Sequence, residues 1–176
     1  WVRKIDITPI DINYYTDMND RLLTREVEIT PLGIDFVTDD EFSFTVRQMY
    51  EHLDEDFDIF NGTVIPEGAY TWWTCNTRFE TNRSRPLSME AGVEWGDFYN
   101  GARNEINVEA QYNVSKHLSF STDITHNAIE IGDSRFDAEE YSGRVNVNLS
   151  TRLTSSSFIQ WNNETKETNL NVRIHF

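Results

Sequence analysis

Cysteine is almost absent from this chain. Cys75 is the only one in 176 residues, so no disulfide can close within the chain and the redox compartment stays open. Positive charge is scarce: Lys+Arg 15 stand against Asp+Glu 30, for a formal net charge of -15. A basic surface for nucleic acid is thereby excluded. Long apolar runs are also missing. Only 38% of residues are hydrophobic, and no stretch approaches the roughly 18–20 apolar residues of a transmembrane helix. That excludes helical spanning alone, because a membrane barrel alternates lipid-facing and lumen-facing side chains and its mean hydropathy resembles that of a soluble protein. An initiator Met and a signal peptide are lacking too: the chain begins at Trp1 and reads as the C-terminal portion of something longer. Helical periodicity is confined to residues 47–57, where apolar residues recur at 49, 53 and 57.

What the chain has in quantity is period-2 alternation. In residues 87–114, Leu87, Met89, Ala91, Val93 and Trp95 alternate with Ser88, Glu90, Gly92 and Glu94. Past the joint GDFYNG, Ile106, Val108, Ala110, Tyr112 and Val114 alternate with Glu105, Asn107, Glu109, Gln111 and Asn113. Alternation sends successive side chains to opposite faces of a strand, so this is an antiparallel hairpin with one apolar and one polar face. The same pattern recurs over residues 2–15, 22–37, 41–50, 69–80, 118–125, 144–153, 157–163 and 169–176. Pro9 and Pro31 break the phase in the first two, as at a bulge or exposed edge. The fold class expected is all-β: a single domain over 1–176, an antiparallel meander of about ten strands forming all or part of a transmembrane β-barrel.

Three features favour a membrane barrel over a soluble sandwich. Connections alternate in length: short at 38–40, 115–116 and 153–156, longer at 16–20, 51–68, 132–139 and 163–168, as with periplasmic turns and external loops. The polar face carries Glu90, Glu94, Glu109, Asp123, Arg144, Arg152 and Arg173, expected as lumen lining. Aromatics gather near strand ends, with Trp72, Trp95, Phe98, Tyr99 and Trp161 expected as an interfacial girdle. The chain stops at Phe176 with Ile174 on the same face, like the signal read by the outer-membrane assembly machinery. That would put the C-terminus in the periplasm.

The segments FETNRSRPLS, EWGDFYNGARNE, HLSFSTDITHNAIEI, FIQWNN and the closing NVRIHF, with the earlier YEHLDEDFDIFNGTVIPEGAY, resemble one bacterial family over roughly residues 24–176. It is the uncharacterised C-terminal outer-membrane β-barrel domain that commonly follows a family-9 carbohydrate-binding module. The resemblance implies a missing N-terminal part, with a sugar-binding module and the opening strands of the barrel. It brings no catalytic residues.

No residue pattern points to an enzyme. Glu90 and Glu94 share a strand face but stand about 13 Å apart, beyond the ~5–9.5 Å of glycosidase carboxylate pairs. The acidic clusters at 39–41 and 54–58 lack EF-hand spacing, and His52, His117, His126 and His175 form no metal-spaced pair, so no cofactor is expected. The sequon Asn61-Gly62-Thr63 matters only in a eukaryotic secretory setting. Arg83 and Arg85 beside Pro86 are expected to anchor a loop in the lumen or to grip lipid phosphate. The function expected is a bacterial outer-membrane barrel acting as channel or surface anchor, linked to carbohydrate uptake or binding. Its partners would be the bilayer, the assembly machinery and other envelope proteins or a carbohydrate. The alternative is a soluble all-β interaction or carbohydrate-binding domain, with Val108, Val147 and Val172 meeting across a core.

Overall fold

A computed structural model of the chain describes residues 1–60, 62–150 and 152–176; Asn61 of the sequon lies outside them. Twelve strands follow one another: β1 (Val2–Thr16), β2 (Leu22–Phe36), β3 (Glu41–Leu53), β4 (Phe57–Phe60), β5 (Thr63–Ile65), β6 (Gly68–Glu80), β7 (Leu87–Phe98), β8 (Gly101–Ser115), β9 (Leu118–Ile131), β10 (Ser134–Asn148), β11 (Thr154–Asn162) and β12 (Thr168–His175). Ten form one sheet in the order β1-β2-β3-β6-β7-β8-β9-β10-β11-β12, every neighbour antiparallel, and β4 with β5 makes a separate small hairpin. The all-β meander expected from alternation is therefore present. The helical spacing at 47–57 is overridden: residues 47–53 continue β3 in unbroken pairing with β6.

The two prolines sit where the strands can tolerate a missing N–H. The β1–β2 ladder shifts between Thr8 and Asp11, and the β2–β3 ladder shifts between Ile29 and Leu32. Pro9 and Pro31 both fall inside those irregularities.

Connections differ from expectation in three places. The loop expected at 132–139 is a tight turn at 132–133, after which β10 runs from Ser134 in continuous pairing with β9. The turn expected at 153–156 lies at 149–153, and residues 154–156 already pair with β10. The joint at 97–102 contracts to 99–100. Length alternation thus reduces to a single long connection, 54–67, at the end of the sheet far from the termini. That end is distinguished by strand extension: β8, β9 and β10 run past the apolar zone, and the face that is apolar elsewhere carries Asn104, His126, Glu130, Asp137 and Glu139 there. Over 134–139 the alternation is inverted, with Phe136 and Ala138 on the polar side against Arg135, Asp137 and Glu139, and so little of it is apolar that the stretch reads as a loop.

Cross-strand partners share a face, so the ladder partners sort every side chain. One face carries Ile5, Ile12, Val27, Ile34, Phe42, Val46, Phe79, Val93, Val108, Ile124, Val145, Ile159, Val172 and their neighbours. It is apolar from β1 to β12. The other is polar and more hidden. The Glu94 side chain is 12% exposed, whereas Trp95 beside it on the apolar face is 38% exposed. Thr45, Thr74 and Ser88 on the polar face are buried. The polar face is therefore the more sheltered of the two. Among the described residues, the buried apolar side chains are only Ile65, Trp72, Ile129 and Ile131. Val108, Val147 and Val172 lie on the same apolar face of one sheet, on β8, β10 and β12, not across a core from one another.

Candidate functional site: the polar face

The polar face is organised in lateral rows by the ladders. One row reads Asp35, Glu41, Glu80, Glu90, Glu109, Asp123, each opposite the next on the adjacent strand. Six adjacent carboxylates repel one another unless neutralised or well hydrated. Arg78 donates to Glu90 at 2.7 Å and to Glu80 at 3.3 Å, and Arg83 reaches Glu90 at 3.2 Å and also pairs with Glu80. Glu109 and Asp123 have no ion pair among the described residues. The row therefore keeps net negative charge.

A second network stands nearer the far end. Arg47 on β3 contacts Glu26 at 2.6 Å, Glu28 at 2.9 Å and Glu94 at 3.1 Å; Arg103 on β8 pairs with Glu94 and lies 3.8 Å from Glu105. The Arg103 guanidinium also sits over the Phe98 ring, 5.1 Å from its centroid. Farther along the sheet the charge changes sign, with Arg144 over Phe158 on β10–β11 and Arg173 on β12. Shorter polar side chains bond to one another across strands, as Asn107 does to the Thr125 hydroxyl at 3.1 Å.

Of the side chains expected on a lumen, Glu90, Glu94, Glu109, Asp123, Arg144 and Arg173 lie on this one face. Arg152 does not: it belongs to the 149–153 turn, beyond the strands. The expected girdle also divides. Trp95 and Trp161 lie on the apolar face, but Trp72, Phe98 and Tyr99 belong to the polar side and pack on each other, with Trp72–Tyr99 centroids 4.6 Å apart and Phe98–Tyr99 4.9 Å apart. Counting by twos from Glu80 and Arg78 places Trp72 inside, and counting from Glu94 does the same for Phe98. The aromatics on the apolar face include Tyr14, Tyr50, Trp73 and Trp95 toward the far end and Phe36, Tyr112 and Phe120 toward the termini, with Phe42, Phe79, Tyr141 and Trp161 in one lateral row between them.

The motif at 95–101 has a backbone reason. Gly96 has φ 149°, and a Cβ there would stand 2.3 Å from the Trp73 carbonyl oxygen; only glycine fits. A Cβ at Gly101 would meet the Glu130 carbonyl oxygen at 1.9 Å. Between them Tyr99 takes φ 52° and donates its hydroxyl to Glu51 across the sheet at 2.6 Å. Burial, then the Glu51 carboxylate, push this phenol above its ordinary value, so it stays a proton donor.

Over the far end of the polar face lies the 54–67 connection. Ile65 is 0% exposed and packs with Ile129 and Ile131 of β9, and Leu53, Ile59, Tyr70, Phe98, Tyr99 and Phe136 surround them. All the sheet residues in this cluster point to the polar side. The hairpin thus crosses β6, β7 and β8 to reach β9. Sequence reasoning missed it because an acidic stretch reads as a solvated loop; the signal was the apolar content of FDIF and TVI.

Arg83 and Arg85 are both engaged by carboxylates at the terminal end. Arg85 contacts Asp40 at 2.8 Å and donates to the Thr38 carbonyl at 3.1 Å, tying the 37–40 turn to the 81–86 turn. The Asp40 carboxyl is held below the usual carboxylate range by the Thr38 hydroxyl, the Asn82 N–H and the Arg85 guanidinium. Among the described residues no group of His, Cys, Asp and Glu is arranged to hold a metal ion. No protein-family model, curated protein or solved structure matches the chain.

Proposed function

We propose that this chain is all or part of a β-barrel in the bacterial outer membrane, its apolar face against lipid and its polar face lining an aqueous lumen. The observation that carries this reading is the continuity of the apolar face across all ten strands of the sheet. At ~4.8 Å per strand and about 20 Å of height, it covers on the order of 900 Å², beyond the roughly 300–600 Å² of the largest patch on a typical soluble monomer. From Leu87 to Trp95 the zone runs about 26 Å along β7, close to the roughly 25 Å apolar band of a bilayer-spanning barrel. The acidic row makes the lumen favour cations. The end bearing Arg85 and the chain termini would face the periplasm, and Ile174 and Phe176 on the last strand would engage the assembly machinery.

Passage of solutes is the reading that the hydrated, charged face supports best. Surface anchoring of a carbohydrate-binding module rests on the sequence resemblance described above and brings a sugar as partner. Neither reading involves a catalytic group. The test is fractionation of the full protein together with its migration on a detergent gel, heated and unheated. Recovery in the outer membrane with a heat-shifted band is expected; a soluble protein with no shift would overturn the reading and make the apolar face a protein-binding surface.

A further inference from the structure

Three of the four buried apolar side chains, Ile65, Ile129 and Ile131, meet in one place, and that place is on the otherwise polar face. A connecting loop has no need to travel there. Leu53 and Gly68 are direct partners on adjacent strands, so a tight turn would join β3 to β6. The chain instead spends residues 54–67 on a hairpin that reaches over β6, β7 and β8. Four strand spacings separate β3 from β9, about 19 Å. In the barrel proposed above, such a path is a chord across the interior.

The hairpin is fastened in two ways. At its base the Asp56 carboxylate accepts the Glu67 N–H at 2.9 Å, Tyr70 donates to the Pro66 carbonyl at 2.7 Å, and Arg21 of the 17–21 turn contacts Asp54 at 2.8 Å. Just beyond these ties, where Ile65 pairs with Phe57 at the open end of the hairpin, the hold is apolar: Ile65 and Ile59 face the sheet, while Asp58 and Val64 are exposed. The two attachments differ in kind. The polar ties are local in sequence, whereas Ile65 docks on β9, remote in the chain. A segment held on the sheet by a few apolar side chains opens more readily than the sheet beneath it.

From this arrangement we infer that the 54–67 hairpin is a lid folded into the far mouth of the lumen, closed by seating Ile65 against Ile129 and Ile131. The inference rests on the membrane-barrel reading above. In the seated position the lid packs on Phe98, whose ring carries the Arg103 guanidinium, and narrows the path to the acidic row. Release of Ile65 widens that path without breaking any pair in the ten-stranded sheet.

The experiment uses the full protein reconstituted in lipid vesicles, with swelling in a small neutral solute as readout. Ile65→Asp places a charge in the apolar seat, and entry is expected to speed up at least five-fold over wild type. A second variant, Ile65→Cys with Ile129→Cys in a Cys75→Ser background, is treated with a short reducible thiol crosslinker. The crosslinked form is expected to pass solute no faster than wild type, and reduction is expected to leave that rate equal or higher. Inserted, heat-modifiable Ile65→Asp protein with wild-type flux would overturn the lid while leaving the barrel standing. A cysteine pair that fails to crosslink would also overturn the seated position. Wild-type protein that never inserts would overturn both readings.

Discussion

Arg47 on β3 donates to Glu94 on β7 over a distance of 3.1 Å, passing across the intervening strand β6. The same guanidinium holds Glu26 and Glu28, and Glu94 in turn holds Arg103. Two cations therefore tie β2, β3, β7 and β8 together across β6, through side chains on one face.

Replacement of Arg47 by Ala leaves Glu26, Glu28 and Glu94 facing one another with Arg103 alone to offset them. Hydrogen bonds to charged groups contribute about 1.5–3 kcal/mol each, and partial exposure of these side chains lowers that. The variant is expected to lose about 1–3 kcal/mol, read as a lower midpoint in urea unfolding from detergent. Glu94→Gln keeps the hydrogen-bonding shape and should lose less; an equal or larger loss would refute the charge network as the cause.

The acidic row makes a charge-selectivity prediction. Under a KCl gradient across a planar bilayer, the wild-type protein should give a zero-current potential of the sign expected for cation preference. Glu90→Lys combined with Glu109→Lys should move that potential toward the anion side. A potential indifferent to these two substitutions would mean that solutes do not pass along this face.

Asp40 carries a pH prediction at the terminal end. Its folded carboxyl titrates below the unfolded value of about 3.9, because Thr38, Asn82 and Arg85 all stabilise the ionised form. A depressed carboxyl adds stability above the unfolded value, and that contribution disappears as pH falls through the folded one. The stability difference between wild type and Asp40→Asn should thus be constant near neutrality and shrink below about pH 4. Unfolding midpoints for the two proteins between pH 2 and 7 check it.

Gly96 is the most constrained backbone position in the 95–101 motif. Gly96→Ala forces a methyl group against the Trp73 carbonyl at a φ that L-residues avoid. The expected cost is about 1–3 kcal/mol, together with loosening of the Tyr99–Glu51 bond. Gly62→Ala has open space around its Cβ and serves as control, although φ 79° there carries its own smaller strain. Equal effects from the two would mean that close strand approach at Gly96 is unimportant.

How much of this was readable in the chain depends on which solvent each strand face meets. Where one face is apolar and the other polar, as over 87–98 and 101–115, alternation identified strand, phase and partner together. Where the alternation is sparse and inverted, as with Phe136 and Ala138 turned to the polar side between Arg135, Asp137 and Glu139, the same strand read as a loop. Trp72 and Trp73 show a second limit. Neighbours in a strand must point to opposite faces, so grouping aromatics by position along the strand put Trp72 on the wrong side, although Arg78 and Glu80 supplied the phase. Arg152 was misplaced because the 149–153 turn contains neither glycine nor proline to announce it. The inward path of 54–67 depends on contacts with β9, remote in the chain, and no local pattern encodes them.

Every strand of the large sheet pairs only with the strands before and after it, the small hairpin being an insertion between β3 and β6. Such a sheet is additive. A hairpin can be gained or lost at either margin, or duplicated within, and each surviving pair keeps its partners and its two faces. Width is therefore an adjustable quantity in this architecture: the sheet can change in steps of two strands by duplication of one short gene segment, with no redesign of what is already built.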